Sequence, residues 1–490
     1  MSITFIISCR LLYCMQMQIG GLEAASSDDR WTIVTNPATG EEVDWVPAGT
    51  DEDVHWAIDT AESAFEKWRE TPVRERGKIL FRAAGMVRDV HASLAPLLTR
   101  EQGKPLREAI DEIRGFANIL EFYAGISASL QGDYISLGST GECLVAHEPL
   151  GVCGAIIPWN MPVIVMGWKT APALLAGNTV VMKPASSAPL TILHLARMLE
   201  EAGIPGGVLN VVTGEGETVG ASLVRHPKIQ KLSFTGSTET GSRVLSLSRE
   251  NKKEIVLELG GSDPMIVWKD ANLEAAIAGV VRGRFYNAGQ TCNAVKRLYL
   301  QEEIADRFLQ ALVPRVRALR IGNGLDMEVD MGPLHSAAER ERTLQRVEQV
   351  KQKGEGKILS GGEAPQGDAY DRGFFYLPTL VSEVGDDSPL LTEEVFGPVL
   401  PIRTFSTLDE AIVMANHSRF GLGASVWTRD LGVARTVFRK VDAGIVWVNR
   451  HLTVPPEVPF GGVKESGMGR ENGMQALRHY TCTKSFFISG

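Results

Sequence analysis

The sequence predicts an α/β protein built on parallel sheets, in more than one packed domain. Three observations carry this. From about residue 150, short apolar runs alternate with helical stretches. The runs are apolar almost without interruption, as strands covered on both faces are. And the chain has 490 residues, more than the roughly 250–300 at which a single hydrophobic core stops growing.

The elements follow in order. Residues 52–68 and 74–130 carry long apolar periodicity and many Ala, Glu and Arg residues, and are expected to be helical. Residues 152–157 (VCGAII) read as a strand, 163–175 as a helix and 179–183 (TVVMK) as a strand. A helix is expected from Pro189 to Ala202, a strand at 208–213 and a helix near 217–225. A strand at 231–236, a helix over 238–249 and a strand at 254–259 close this series. After Gly260-Gly261 the alternation restarts, with strands at 264–268 and 297–301 and helices over 272–289 and 303–318. This reads as a second α/β domain. No fixed-period repeat or low-complexity tract is visible.

Composition narrows the function classes. Apolar residues make up 44% and charged residues 22%, the balance of an ordinary globular chain. A net charge of −9 lacks the basic field of a general nucleic-acid binder. The cysteines (Cys9, Cys14, Cys143, Cys153, Cys292, Cys482) are sparse and form no CxxC pair. That argues against a disulfide scaffold or a zinc knuckle and for a reducing, cytoplasmic compartment. Residues 1–16 read as a disordered extension in preference to a signal peptide. Arg10 interrupts the apolar run, and there is no basic leader segment or clear cleavage site. The run from Val152 to Trp168 is broken by Pro158, Asn160 and Pro162, so no membrane span is expected.

Several positions carry possible chemistry. Cys292, in Gly289-Gln290-Thr291-Cys292, has small neighbours that would let a substrate reach the sulfur. Glu258 ends an apolar strand, where a carboxylate is costly without a role or a partner. Asn160 sits between two prolines, where its amide can face a developing oxyanion. Gly236-Ser237 opens a helix after a strand, a place where free N–H groups attract phosphate. Lys183 follows another strand, within reach of ribose hydroxyls or a phosphate. Taken alone, each is more readily ordinary: an inert thiol, a solvent-facing charge, an Asx turn, a solvated lysine. Gly214-Glu215-Gly216 comes near a dinucleotide fingerprint but alone reads as a turn. None of the nine histidines has metal-ligand spacing, so no metal is expected. His451 can in principle pair with Cys292, which spacing does not test.

Together and in this order the motifs are specific. Pro158-Trp159-Asn160, Lys183-Pro184-Ala185-Ser186, Phe234-Thr235-Gly236-Ser237, Glu258-Leu259-Gly260-Gly261, Gly289-Gln290-Thr291-Cys292, Glu394-Val395-Phe396-Gly397-Pro398 and Pro459-Phe460-Gly461-Gly462 resemble the NAD(P)-dependent aldehyde dehydrogenase superfamily, from about Asn36 to the end. The resemblance implies a Rossmann-like cofactor domain (residues 17–126 and 150–259) and a catalytic domain (260–459). It also implies a β-arm with the C-terminal segment (127–149 and 460–490) that builds homodimers or homotetramers. It makes Cys292 the nucleophile on the aldehyde carbonyl, Asn160 with the Cys292 backbone N–H the oxyanion hole, and Glu258 the base that activates water. Lys183 would meet the adenosine ribose, Gly236 and Ser237 the pyrophosphate, Glu394 the nicotinamide ribose and Phe396 the nicotinamide ring. Trp159, Ser186, Gly214 and Leu259 complete the expected NAD or NADP contacts. Lys169 and Glu471 match further positions that are often charged.

Glu258 favours hydrolysis to a free acid, because relatives that acylate coenzyme A generally lack it. Ser186 stands where NAD-preferring members often carry glutamate, so NADP should be accepted. The wording around residues 231–238, 287–292 and 321–325 is similar to succinate-semialdehyde dehydrogenases. Yet Trp168 and Tyr286 replace arginines that many of those carry for a distal carboxylate. Met161, Val165, Trp168, Tyr286, Thr291 and His451 are expected instead to line an apolar, aromatic channel suited to benzaldehyde- or vanillin-like aldehydes. A small semialdehyde remains the alternative substrate. A non-enzymatic structural relative and a thiol hydrolase remain alternative classes.

Overall fold

The computed structural model describes residues 14–490. Two sheets organise them. In spatial order the first contains Leu22–Ala24, Met17–Ile19, Leu209–Val211, Thr179–Lys183, Val152–Ile156, Ile229–Thr235, Glu254–Glu258 and Gly467–Met468. The five strands from Leu209–Val211 to Glu254–Glu258 are parallel, and both edges are antiparallel additions. The chain leaves Val152–Ile156 for Thr179–Lys183 on one side and later returns as Ile229–Thr235 on the other. A crevice therefore opens at their carboxyl ends, where such sheets bind ligands.

The second sheet runs Lys357–Ser360, Thr379–Ser382, Val399–Phe405, Val295–Gln301, Asp263–Val267, Gly423–Trp427 and Ile445–Val448. Only Lys357–Ser360 pairs antiparallel. A third sheet of Asp133–Ser136, Glu142–Pro149 and Thr481–Ile488 leaves Tyr134, Phe486 and Phe487 exposed. The α/β architecture of parallel sheets expected from the sequence is the architecture found.

Four expectations need correction. The helical reading of residues 74–130 becomes two helices, Val73–Gln102 and Leu106–Gly125. Gly103 ends the first in the left-handed region (φ 104°) and Pro105 precedes the second. The helix read to residue 289 stops at Phe285. Asn287 (φ 50°), Ala288 (φ 53°) and Gly289 (φ 75°) follow it in left-handed conformation. The helix near 217–225 opens instead with a π-type turn, Gly216–Gly220. Of the extension expected over 1–16, residues 1–13 with Cys9 lie outside the described residues. Met15 within it is buried in the main core.

That core joins the first sheet to the long N-terminal helices. The Pro162–Ala176 helix is almost wholly buried, which its apolar, Ala-rich sequence allows. Its first N–H groups need acceptors, and Glu112 supplies one: Oε1 accepts from Val163 N at 2.8 Å and Ile164 N at 3.3 Å. The other Glu112 oxygen pairs with Lys104, both side chains being fully buried. Glu112→Ala leaves that ammonium unpaired in the interior and is expected to cost about 3–5 kcal/mol of stability. Urea unfolding checks this, and a loss under about 1 kcal/mol, the value of a surface pair, contradicts it.

Candidate active site

The carboxyl ends of the first sheet face the amino ends of the second across a cavity of about 550 Å³. Cys292, Asn160 and Glu258 all line it. They come from three places: the turn before Val295–Gln301, the loop after Val152–Ile156, and the end of Glu254–Glu258.

The Cys292 turn is built from outside itself. Glu108 Oε2 accepts from Asn287 N at 2.8 Å, and Asn287 Nδ2 donates to the Asn160 carbonyl at 3.0 Å. Gln290 Nε2 donates to the Asn287 carbonyl at 2.9 Å, and its Oε1 accepts from His335 N at 2.8 Å. Two non-glycine residues in left-handed conformation cost roughly 1–2 kcal/mol each, and these bonds offset the strain. Gly289 is obligatory, because a Cβ there would meet the Gly397 carbonyl oxygen at 2.5 Å. The Cys292 thiol is free and half-buried. Its desolvated setting pushes the thiol up to about 12, against the pull of the nearby Lys296 ammonium. The resting sulfur is therefore protonated.

Asn160 is held on both sides. Its carbonyl accepts from Lys104 Nζ at 2.9 Å, and its Nδ2 donates to the Gln290 carbonyl at 2.9 Å. An amide nitrogen has two N–H groups, so one is left to face the cavity beside Cys292. Glu258 is buried, with neither carboxylate oxygen bonded to protein. Burial first, and then the Glu471 charge, push it well above the usual carboxylate range. Gly461 makes room for it, since a Cβ there would lie 2.6 Å from Glu258 Oε1. Behind it, buried Lys169 Nζ donates to Ser233 Oγ at 2.8 Å and pairs with Glu471 at 2.5 Å.

The expected cofactor residues divide. Trp159, Gly236, Ser237, Leu259, Glu394 and Phe396 line the cavity. Ser237 caps the Thr238–Leu247 helix, its Oγ accepting from Thr240 N at 3.2 Å. Trp159 meets Phe396 edge to face at 5.6 Å. Lys183, Ser186 and Gly214 are not part of the cavity wall. Lys183 is buried and donates to the Pro184 carbonyl at 2.8 Å, and burial pushes it down to about 8. Ser186 Oγ donates to the Gly214 carbonyl at 2.9 Å.

On the other side Met161, Val165, Trp168, Tyr286 and Thr291 line the wall. His451 does not, which corrects the channel expected from the sequence. Its Nδ1 meets Ser425 Oγ at 2.9 Å and its Nε2 meets the Asn293 carbonyl at 2.8 Å. Burial pushes it down to about 4, so it is neutral and committed to these partners rather than to Cys292. Its place is taken by Leu452, Val454 and Phe460, with Asp111 and Arg282 exposed on the same wall. Sequence reasoning quoted Phe460 within a motif without placing it in the channel. It missed Lys104, Glu108, Glu112 and His335 altogether. His335 stacks on Trp159 at 4.4 Å. The one signal for the first three was charge inside apolar periodicity. Among the described residues no group of three or more His, Cys, Asp or Glu side chains gathers to hold a metal ion. Nor is any helix long and apolar enough to cross a membrane.

Comparison with known proteins agrees with this geometry. The aldehyde dehydrogenase family model matches residues 24–486. Betaine aldehyde dehydrogenase of Brucella anthropi is 40% identical over 472 residues, 96% of each chain. A putative aldehyde dehydrogenase from Burkholderia cenocepacia superposes with a TM-score of 0.95 at 40% identity, covering 97% of both chains. Betaine aldehyde dehydrogenase from Staphylococcus aureus, solved in complex with NAD+, superposes with a TM-score of 0.94 at 35% identity, covering 97% of this chain and 95% of that one.

Proposed function

The chain belongs to the aldehyde dehydrogenase family and oxidises an aldehyde with a nicotinamide cofactor; we propose that the aldehyde is aromatic or otherwise apolar and that the product is its free acid. The observation that carries the substrate class is the channel wall. Met161, Val165, Trp168, Tyr286 and Phe460 surround the approach to Cys292 with apolar and aromatic surface. A distal carboxylate buried among them would lose its water, at a cost of several kcal/mol unless the exposed Arg282 of the same wall reached it.

The residues present fit a dinucleotide. Thr235 Oγ1 is a buried hydroxyl without a protein partner, beside the cavity-lining helix start at Gly236 and Ser237. Helix starts offer free N–H groups to phosphate. Glu394, Phe396 and Trp159 would hold the nicotinamide end. When bound, the cofactor supplies the acceptor for the aldehyde hydride.

The chain's own residues do the rest. Cys292 gives its proton to water in the cavity, and its sulfur attacks the carbonyl carbon. The free N–H of Asn160 and the Cys292 backbone N–H meet the oxygen as it becomes negative. Collapse of this thiohemiacetal expels hydride and leaves a thioester on Cys292. Glu258 then takes a proton from water as that water attacks the thioester, releasing the acid and the thiol. Lys169 and Glu471 stand behind Glu258 and set its charge environment.

A second reading has support. Aromatic faces attract quaternary ammonium groups. Asp111 on the wall would reinforce that, and the Brucella anthropi relative is named for betaine aldehyde. Arg282 on the same wall opposes a cation. A panel of benzaldehyde, vanillin, betaine aldehyde and succinate semialdehyde, followed at the reduced-nicotinamide absorbance, separates the readings. The expected order of kcat/KM puts the aryl aldehydes first. Higher activity on succinate semialdehyde than on either aryl aldehyde sinks the proposal, and betaine aldehyde in first place establishes the second reading.

NADP belongs in the same panel. Serine at 186 removes the carboxylate that would repel a 2′-phosphate, and Lys183 precedes it by three residues. We expect kcat/KM with NADP within about 100-fold of that with NAD, roughly the effect of one like-charge contact. A larger deficit defeats the serine argument and implicates Glu215, which faces Lys183.

The division into a cofactor domain (17–126, 150–259) and a catalytic domain (260–459) is part of the same proposal. So is location in a reducing cytoplasm. The exposed three-stranded sheet, with Tyr134, Phe486 and Phe487 outward, is the proposed homo-oligomer contact. A monomer mass by light scattering contradicts it.

A further inference from the structure

Buried Lys296 stands beside the nucleophile and has no part in the mechanism above. Lys296 lies on the Val295–Gln301 strand, 1% exposed, four residues after the nucleophile. Its ammonium donates to the Cys292 carbonyl at 2.6 Å, to the Thr291 carbonyl at 3.1 Å and to Glu394 Oε1 at 2.9 Å. Three donors meet three acceptors, so the group is saturated. Glu394 Oε1 also accepts from Gly261 N at 3.1 Å, which ties the same carboxylate to the chain just past Glu258. Phe396, two residues after Glu394, has its ring centroid 5.5 Å from the ammonium.

We infer that Lys296 is a positioning residue that couples the carboxylate holding the cofactor to the nucleophile: one ammonium fixes the Cys292 turn and Glu394 in a common register. The inference rests on the roles proposed above for Cys292 and Glu394. It has two consequences. Without the ammonium, the Cys292 carbonyl loses a donor and Glu394 loses its counter-charge, so both the chemical step and the cofactor hold suffer. The electrostatics of the thiol change as well. The charged groups around Cys292 are Lys296, which favours the thiolate, and Asp263, Glu258 and Glu394, which oppose it. Deleting Lys296 removes the group that favours the thiolate and leaves only groups that oppose it. Neutralising Glu394 removes one acid and frees the cation, so the two changes act in opposite directions.

The test is alkylation of Cys292 by iodoacetamide in the cofactor-free protein across pH, read on the peptide that contains Cys292. Kinetics with NAD and thermal midpoints accompany it. Lys296→Met is expected to move the alkylation profile to higher pH and slow alkylation near pH 8 about tenfold, the effect of one pH unit on a thiolate population. It should also lower kcat/KM about 10- to 100-fold, the range for a lost charge-assisted hydrogen bond. Lys296→Arg keeps the charge and should restore the alkylation profile. Glu394→Gln should move the profile to lower pH while raising KM for NAD, and it carries the test if Lys296→Met does not fold. A folded Lys296→Met with the wild-type alkylation profile overturns the inference, as does a Glu394→Gln profile displaced to higher pH. A wild-type protein that alkylates at Cys292 but reduces no nicotinamide overturns the functional reading instead, and the two failures are thereby distinguished.

Discussion

Cys292→Ser is expected to lower aldehyde oxidation by at least about 10,000-fold, the scale seen when a covalent nucleophile is removed from a site that otherwise stays intact. The substitution replaces one atom in a half-buried position whose side chain carries none of the turn's hydrogen bonds. Stability should therefore stay within about 0.5 kcal/mol of wild type, and NAD binding measured by fluorescence quenching should persist. The hydroxyl occupies the same place but ionises far less readily than a thiol, so neither carbonyl attack nor a thioester follows. Oxidation retained within tenfold of wild type would remove Cys292 from the mechanism.

Glu258→Gln is expected to act later in the cycle. Steady-state turnover should fall about 100- to 10,000-fold, the usual contribution of a general base, while the first equivalent of reduced nicotinamide still forms as a burst. Burial holds Glu258 protonated well above the usual carboxylate range. Only its ionised form accepts a proton from water. Hydrolysis in the wild type should therefore rise with pH through that raised value and fall below it, and the glutamine variant should lose this rise. The thiol of Cys292, also pushed up by burial, gives the acylation step a rise of the same sign. The two are told apart because the variant keeps the pH dependence of the burst and loses that of the steady state. A variant with unchanged turnover and an unchanged pH profile contradicts the base assignment.

The parts of the site that were legible in the sequence are those whose signal is local. Glycine, proline and polar residues at strand ends marked the loops of Asn160, Gly236 and Glu258, and the structure brings these loops to one crevice because the strands are parallel. The Cys292 turn was misread as helix for the opposite reason. Its apolar periodicity continues past Phe285, but Glu108, 179 residues away in sequence, captures the Asn287 N–H and bends the chain into left-handed conformation. His451 was misplaced because following a strand does not say which side of it a ring faces; Ser425 and the Asn293 carbonyl take both nitrogens. The short strands Met17–Ile19 and Leu22–Ala24 gave no periodic signal over three residues each. Lys104, Glu112 and Lys296 escaped notice because a charge within an apolar run does not announce a partner more distant in the chain. Lys296 shows the consequence: its neighbour Cys292 was identified at once, while the ammonium that holds the Cys292 carbonyl was seen only in three dimensions.

The central claim is that aldehyde carbon passes through a covalent bond to Cys292 that Glu258 resolves with water. Mixing Glu258→Gln with NAD and benzaldehyde, quenching within one turnover and mapping the acylated peptide by mass spectrometry tests it most directly. The expected result is one benzoyl group per reduced nicotinamide, on the peptide containing Cys292. Reduced nicotinamide formed with no acyl group on that peptide, or with the acyl group on another cysteine, would contradict it.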